Sequence, residues 1–152
     1  MTQSASVHRT LVFDGSPEPV RGLRAMLSTF LRDRNIDEQV GRAVVLAFSE
    51  ALDNAVEHGL GHQNGTVNVK MRYTPRFILV SLRDSGSDRT PLGQPIIPGP
   101  LEERGRGFAL MNKLMDYVKV KSYPNGGTRV SMLRRLDLDL DRGLDRDLER
   151  GP

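Results

Sequence analysis

Apolar residues recur at helical spacing in three stretches of the chain, and each stretch is predicted to form a helix. The first stretch spans about residues 16–33, the second about residues 37–60, and the third begins after Gly107. Asp37 stands where an N-cap is expected, and Pro17 stands early in the first turn of the first helix. Apolar side chains surround so much of the second helix that we expect it to be buried on most sides.

Five segments have strand character, over residues 9–13, 66–73, 77–83, 118–123 and 128–134; residues 66–73 alternate apolar with polar side chains, and residues 77–83 are more continuously apolar. The segment 74–76 is predicted to join the second and third strands as a hairpin. Residues 124–127, Pro-Asn-Gly-Gly, are predicted to join the last two strands in the same way. Placed in chain order, the elements read strand, helix, helix, strand, strand, helix, strand, strand.

Three segments lack this periodicity. Residues 1–8 are polar and are predicted to be a flexible N-terminus. Residues 87–104 contain four prolines without a repeating pattern, and a loop of that length is typical of a lid or a disordered segment. Residues 136–152 alternate leucine with acid and are predicted to be a disordered charged tail. A single domain is therefore expected over residues 9–135.

Composition excludes several kinds of site. The 152 residues include no cysteine, which excludes disulfides and thiolate zinc sites, and the three histidines are too few for a histidine metal cluster. No run approaches the roughly 18 apolar residues of a membrane span, so we expect a cytoplasmic protein without membrane contact. The net charge is +3, from 22 basic and 19 acidic residues that look mixed along the chain, and direct nucleic-acid binding is not expected.

A line of polar residues interrupts the second helix. Glu50, Asp53, Asn54 and Glu57 are spaced i, i+3, i+4 and i+7, which places them on one side of the helix. Carboxylates this close repel each other and are costly to bury without a cation or water. Hard oxygen donors in small number suit Mg²⁺, which usually keeps several waters and takes phosphate oxygens as well. The alternative is that this line is simply the solvated side of an amphipathic helix.

Three glycine-containing motifs follow this helix. Asp84, at the end of a strand, leads into Ser85 and Gly86. The second motif, Gly105-Arg106-Gly107, precedes a helix, where backbone N–H groups can approach an anion. Gly127-Thr128 opens the last strand. Each motif alone is weak, because Asp-x-Gly after a strand is commonly only a turn.

Together and in this order, the motifs resemble the nucleotide-binding boxes of the GHKL ATPase superfamily. The helix motif Glu50-x-x-x-Asn54-Ala55-x-x-His58-Gly59 is similar to the N box, and Asp84-Ser85-Gly86 and Gly105-Arg106-Gly107 are similar to the two glycine boxes. Within the superfamily, residues 9–134 look most like the small stand-alone anti-sigma-factor serine kinases of bacteria. The resemblance implies the Bergerat fold, an α+β two-layer sandwich with helices packed on one face of a mixed, mostly antiparallel sheet.

The resemblance also implies roles for individual residues in binding ATP and Mg²⁺. Asn54 would ligate Mg²⁺, and Glu50 would act as the general base. Asp84 would accept a hydrogen bond from the adenine amino group, Gly86 would allow the base to approach, and Thr128 would support the adenine side.

The second glycine box would contact the phosphates through Gly105, Arg106 and Gly107, and Arg104 or Arg106 would neutralise the terminal phosphate. The chain departs from the family pattern at two points. Asp88 stands where the fuller first glycine box has glycine. The arginine before the second box, Arg104, is one residue closer to it than the pattern expects.

The function implied is that of an ATP-dependent serine kinase and anti-sigma factor. Such a protein phosphorylates an anti-anti-sigma partner of the STAS-domain type and sequesters a sigma factor, and we expect a homodimer. One alternative is a binding module in which ATP has only a structural role. A second is a stand-alone histidine-kinase-like ATPase domain, and a third is an α/β domain whose motifs are coincidental.

Overall fold

The computed structural model describes residues 4–61, 63–86 and 105–136. Its elements occur in the predicted order, and the residues that bound them are listed here: β1 (Ala5–Phe13), α1 (Glu18–Arg32), α2 (Glu38–Asn54), a single π-helical turn (Ala55–Gly59), β2 (Gly65–Thr74), β3 (Phe77–Asp84), α3 (Gly105–Leu114), β4 (Tyr117–Ser122) and β5 (Thr128–Arg135). The lid prediction for residues 87–104, which includes Asp88 and Arg104, lies outside the described residues, as do residues 137–152 of the predicted tail.

The five strands form one sheet in the order β1-β2-β3-β5-β4, and every pairing is antiparallel. The prediction of an α+β sandwich is confirmed, but the sheet is wholly antiparallel across the described residues rather than mixed. The C-terminal hairpin explains this arrangement, because β5 docks against β3 and leaves β4 at the edge. Its register sets Met132 opposite Val80, which in turn lies opposite Met71.

All three helices pack on one face of the sheet. On β2, the side chains that point to this face are buried and alternate with more exposed ones, as a sheet with one covered face requires. The helices contribute fully buried apolar residues to the same core, chiefly Leu27 from α1, Phe48 and Leu52 from α2, and Met111 from α3. No helix in the described part of the chain is long and apolar enough to cross a membrane.

The first strand begins four residues earlier than predicted. Residues 5–8, predicted to be loose, belong to β1, and the register continues as far as Ala5 opposite Tyr73. The reason is that β2 is ten residues long and offers hydrogen-bonding partners along the whole segment. At the other end, the Leu136 N–H donates to the Arg76 carbonyl at 2.8 Å, and Leu136 packs on the core. The first residue of the predicted disordered tail therefore continues the fold.

The second helix ends in a way that the sequence pattern did not indicate. Its start is as predicted, because a carboxylate oxygen of Asp37 accepts from the N–H groups of Gln39 and Val40 at 3.0 and 3.1 Å. Its last turn is π-helical, and the Leu60 N–H donates to the Ala55 carbonyl at 2.9 Å. The wider turn brings Gly59 against the end of β3, where a Cβ atom at Gly59 would lie 2.5 Å from Cγ of Asp84. Single π turns of this kind occur frequently at functional sites.

We expect Leu52→Ala to lower the free energy of unfolding by about 2–5 kcal/mol, because Leu52 is fully buried between α2 and the sheet. Leu46→Ala is the matched control on the same helix, since Leu46 is 45% exposed, and it should cost less than about 1 kcal/mol. Urea unfolding of both variants measures the difference. Equal losses would contradict the placement of the core.

Gly59→Ala should destabilise the fold by about 1–3 kcal/mol, because the added methyl group would overlap the buried carboxyl of Asp84. Gly41→Ala is the control, since a Cβ atom at Gly41 would meet nothing within 4 Å. Gly41 lies in the interior of α2, where alanine is more stable than glycine. This second variant should be about 0.5–1 kcal/mol more stable than the wild type. A neutral result for Gly59→Ala in thermal unfolding would show that the π turn is not held against β3.

Candidate functional site

Asp84 is buried at the end of β3 with only 4% of its surface exposed, and it is the one charged residue buried in the part of the chain that the structure describes. One carboxylate oxygen, Oδ1, accepts from the Gly86 N–H at 2.9 Å, and Oδ2 accepts from the Thr128 N–H at 3.2 Å. Burial raises the pKa of Asp84 above its ordinary value, while these two hydrogen bonds act in the opposite direction. A buried carboxyl group with a raised pKa is a candidate for ligand binding.

Glycines surround Asp84 on three sides. Gly59 of the π turn faces its carboxyl group, and Gly127 lies against its backbone carbonyl. Gly86 and Gly127 have φ angles of +78° and +84°, which side-chain-bearing residues rarely adopt. A Cβ atom at Gly86 would also lie 2.6 Å from the Gly127 backbone nitrogen. The two loops after β3 and before β5 can therefore approach each other only because both residues are glycine.

Glu50 and Asn54, one turn apart on α2, face the beginning of α3. A Cβ atom at Gly107 would lie 2.7 Å from Oε2 of Glu50 and 3.8 Å from Nδ2 of Asn54. Both side chains are half-buried. The structure thus brings the carboxylate of Glu50 and the amide of Asn54 next to the N-terminal turn of α3, which lies more than 50 residues later in the sequence.

The polar line on α2 does not act as one group of four. Asp53 points away to α1, where its carboxylate pairs with the Arg24 guanidinium at 2.5 Å. Glu57 is exposed on the π turn. Helix geometry explains the division, because the consecutive residues Asp53 and Asn54 are about 100° apart around the axis. Of the four residues predicted on one side of α2, only Glu50 and Asn54 are therefore seen to face the start of α3.

The other predicted residues that the structure describes lie either beside Asp84 or beside Glu50 and Asn54. Gly105, Arg106 and Gly107 form the first turn of α3 rather than a loop before it, and Arg106 is exposed there. The backbone of Thr128 binds Asp84, and its side chain is half-buried at the start of β5. Arg104 lies outside the described residues. Gly59 and Gly127 were not predicted as site residues, although both stand within the motifs described above.

The α2 helix and its π turn connect the two ends of the candidate site, one at Asp84 and the other at Glu50 and Asn54. From Glu50 to Gly59 the chain advances about 13 Å along the axis at a helical rise. One end presents the buried carboxyl group of Asp84, and the other presents Glu50, Asn54 and the N-terminus of α3. Helix N-termini favour anions, so this arrangement suits an elongated ligand with a hydrogen-bond donor at one end and negative charge at the other.

Residues 13–134 match the family model described as a histidine kinase-like ATPase domain. The anti-sigma F factor of Halalkalibacterium halodurans is 34% identical over 110 residues, which cover 68% of this chain and 74% of that protein. The anti-sigma F factor of Bacillus velezensis is 30% identical over 121 residues, which cover 74% of this chain and 82% of that protein.

The fold is similar to a crystal structure of the RsbU and RsbW domains of Rv1364c from Mycobacterium tuberculosis. The TM-score is 0.63 and the sequence identity 25% over 87% of this chain, which spans about a third of that longer chain (32%). The matched family model covers most of the sequence, including both ends of the site. This chain therefore belongs to the histidine kinase-like ATPase domain family, in the group of the anti-sigma-factor kinases.

Proposed function

We propose that this chain is an ATP-dependent serine protein kinase that also acts as an anti-sigma factor. It would phosphorylate a serine on an anti-anti-sigma protein of the STAS-domain type and would sequester a sigma factor. The names of its relatives, anti-sigma F factors, support the sigma-factor partner. The observation that carries the kinase proposal is that Glu50 and Asn54 lie side by side against Gly107 in the first turn of α3.

The residues present fit ATP and Mg²⁺. In the described part of the chain, no three histidine, cysteine or acidic side chains gather closely enough to hold a metal ion by themselves. A protein site with one neutral oxygen donor, such as the Asn54 amide, suits Mg²⁺ because this ion usually takes most of its ligands from water and phosphate. Bound Mg²⁺ would neutralise phosphate charge. The N-terminus of α3, with Gly105, Arg106 and Gly107, would hold the phosphates.

Asp84 would select the base. Its two oxygens are fixed by the N–H groups of Gly86 and Thr128, and a carboxylate retains lone pairs for a further donor such as the exocyclic amine of adenine. A fixed carboxylate loses little orientational freedom when a ligand binds, which favours affinity. Gly86 and Gly127, which approach each other closely, place no side chain of their own against that part of the backbone.

In the proposed reaction, the serine hydroxyl oxygen forms a bond to the γ-phosphorus while the bond to the β,γ-bridging oxygen breaks and ADP leaves. The hydroxyl proton passes to the Glu50 carboxylate, which is half-buried beside the phosphate end. Because phosphoryl transfer depends mainly on position and charge, the helix N-terminus next to Glu50 supports the same step.

The homodimer that we propose would use the β1 edge of the sheet. Here a groove of about 490 Å³ between β1 and α1 is lined partly by Val7, Met26 and Phe30. The outer edge of β1 has no strand beside it in the described fold, and such edges are available for pairing.

Glu50→Gln should slow serine phosphorylation by roughly 10²–10⁴-fold while ATP affinity stays nearly constant, because the amide keeps the shape but cannot accept the proton. A γ-labelled ATP assay with candidate anti-anti-sigma proteins measures the transfer, and calorimetry measures the affinity. Glu57→Gln is the matched control on the exposed π turn and should leave both unchanged.

Equal transfer by the wild type and Glu50→Gln would remove the catalytic role of Glu50. ATP binding without any transfer by the wild type would instead identify a binding module in which the nucleotide is structural.

Asn54→Ala should weaken Mg²⁺-dependent ATP binding by at least tenfold, about 1.4 kcal/mol, because the amide oxygen is lost from the site. The neighbouring variant Asp53→Ala is the control. Asp53 pairs with Arg24 and not with the site, so its loss should cost about 0–1 kcal/mol of stability and leave ATP affinity unchanged. Calorimetry with and without Mg²⁺ measures the ATP affinity of both variants. A larger loss of affinity in Asp53→Ala than in Asn54→Ala would contradict the site geometry.

A further inference from the structure

The second face of the sheet, opposite the helices, is strongly basic. The register places seven lysines and arginines on this open face: Lys70, Arg72, Arg83, Lys119, Lys121, Arg129 and Arg135. No aspartate or glutamate of any of the five strands points to it. The one acidic residue in the strands is Asp84, which is buried on the helix side.

The expectation that charges are mixed is therefore wrong for the sheet. Along the chain, five of these seven residues stand between apolar or neutral neighbours, the exceptions being Arg83 before Asp84 and Arg135 after Arg134, so no long basic run is visible in the sequence. Strand alternation and pairing collect residues from four strands onto one surface. The acidic residues of the described chain lie mainly on α1 and α2 and in the loops beside them.

The charge is densest near β4. Arg83, Arg129 and Lys121 lie directly opposite one another across β3, β5 and β4. All three approach the ring of Tyr123, with distances to its centroid of 4.1 Å from Arg83, 5.6 Å from Arg129 and 5.2 Å from Lys121. Among the described residues, none of the seven has a carboxylate within ion-pair distance, since the three ion pairs there use Arg24, Arg42 and Arg134. Like charges so close together favour an anionic partner.

An apolar row crosses the same face between the basic residues. Leu79, Leu133 and Tyr117 are opposite one another across β3, β5 and β4. The two leucines are half-buried, and Tyr117 is 55% exposed. A partner that covers this row gains by burying apolar area, and aliphatic side chains suit the leucines.

We propose that this open face binds an acidic segment of a partner protein that also carries aliphatic side chains. The basic residues would meet its carboxylates, and the row of Leu79, Leu133 and Tyr117 would meet its apolar side chains. Single-stranded nucleic acid fits less well, because successive bases stack on successive open aromatic rings. Here Arg83 already lies over the ring of Tyr123, and the exposed ring of Tyr117 stands in a row with two leucines, which offer no such platform. The same face of a second copy carries the same charge and would be repelled. This inference does not depend on the nucleotide site.

The test measures binding of a fluorescein-labelled peptide of twelve residues that alternates aspartate and leucine, by anisotropy at low salt. Lys119→Glu combined with Lys121→Glu changes two exposed residues of an edge strand and should weaken binding at least tenfold. The control, Arg21→Glu with Arg32→Glu, makes the same charge change on exposed positions of α1 and should bind like the wild type. Circular dichroism and melting temperature confirm that both variants fold.

A second peptide, alternating aspartate with serine, should bind more weakly than the leucine peptide, which assigns part of the affinity to the apolar row. Tighter binding of a twelve-nucleotide oligo(dT) than of the leucine peptide would overturn the proposal in favour of nucleic acid. Equal loss in both charge-reversed variants would reduce it to a general effect of net charge. Peptide binding that appears only after residues 137–152 are deleted would assign the face to the chain's own acidic end and not to a partner.

Discussion

The buried carboxyl group of Asp84 is the contact on which the geometry of this molecule depends. It ties three parts of the chain together: β3, which ends with it, the turn at Gly86, and the start of β5 at Thr128. The π turn closes over it through Gly59. Because α2 continues directly into that turn, the contact with Asp84 also fixes where Glu50 and Asn54 lie relative to β3.

This contact is not optimised for stability. A pKa raised by burial means that the folded protein binds the proton more tightly than the unfolded chain does, so protonation of Asp84 favours folding. That contribution is complete below the ordinary value of 3.8 and is lost as the pH rises through the raised pKa of the folded state. Above that raised pKa, the ionised carboxylate is kept at some cost in stability, as is common at functional sites.

The features that the sequence predicts correctly are local. The Asp37 cap and the hairpin at residues 74–76 depend on neighbours a few positions away, and all five strands were predicted. The features that it does not predict depend on distant parts of the chain. The Arg24–Asp53 pair joins residues 29 positions apart, and the basic face exists only through strand register. The π turn depends on how Gly59 meets Asp84, and no periodicity within α2 indicates it.

The position of β5 has a consequence for how the chain folds during its synthesis on the ribosome. β5 is the last strand of the described fold, yet it lies inside the sheet between β3 and β4. Until it emerges, β3 has an open edge and Asp84 lacks the Thr128 N–H that holds one of its oxygens. The nascent chain can form helices and pair β2 with β3 early, but the Asp84 end of the candidate site closes only when nearly the whole domain has been synthesised. Pairing of this kind between distant segments is intrinsically slow, so a ligand that contacts Asp84 would meet a complete site only in the finished domain.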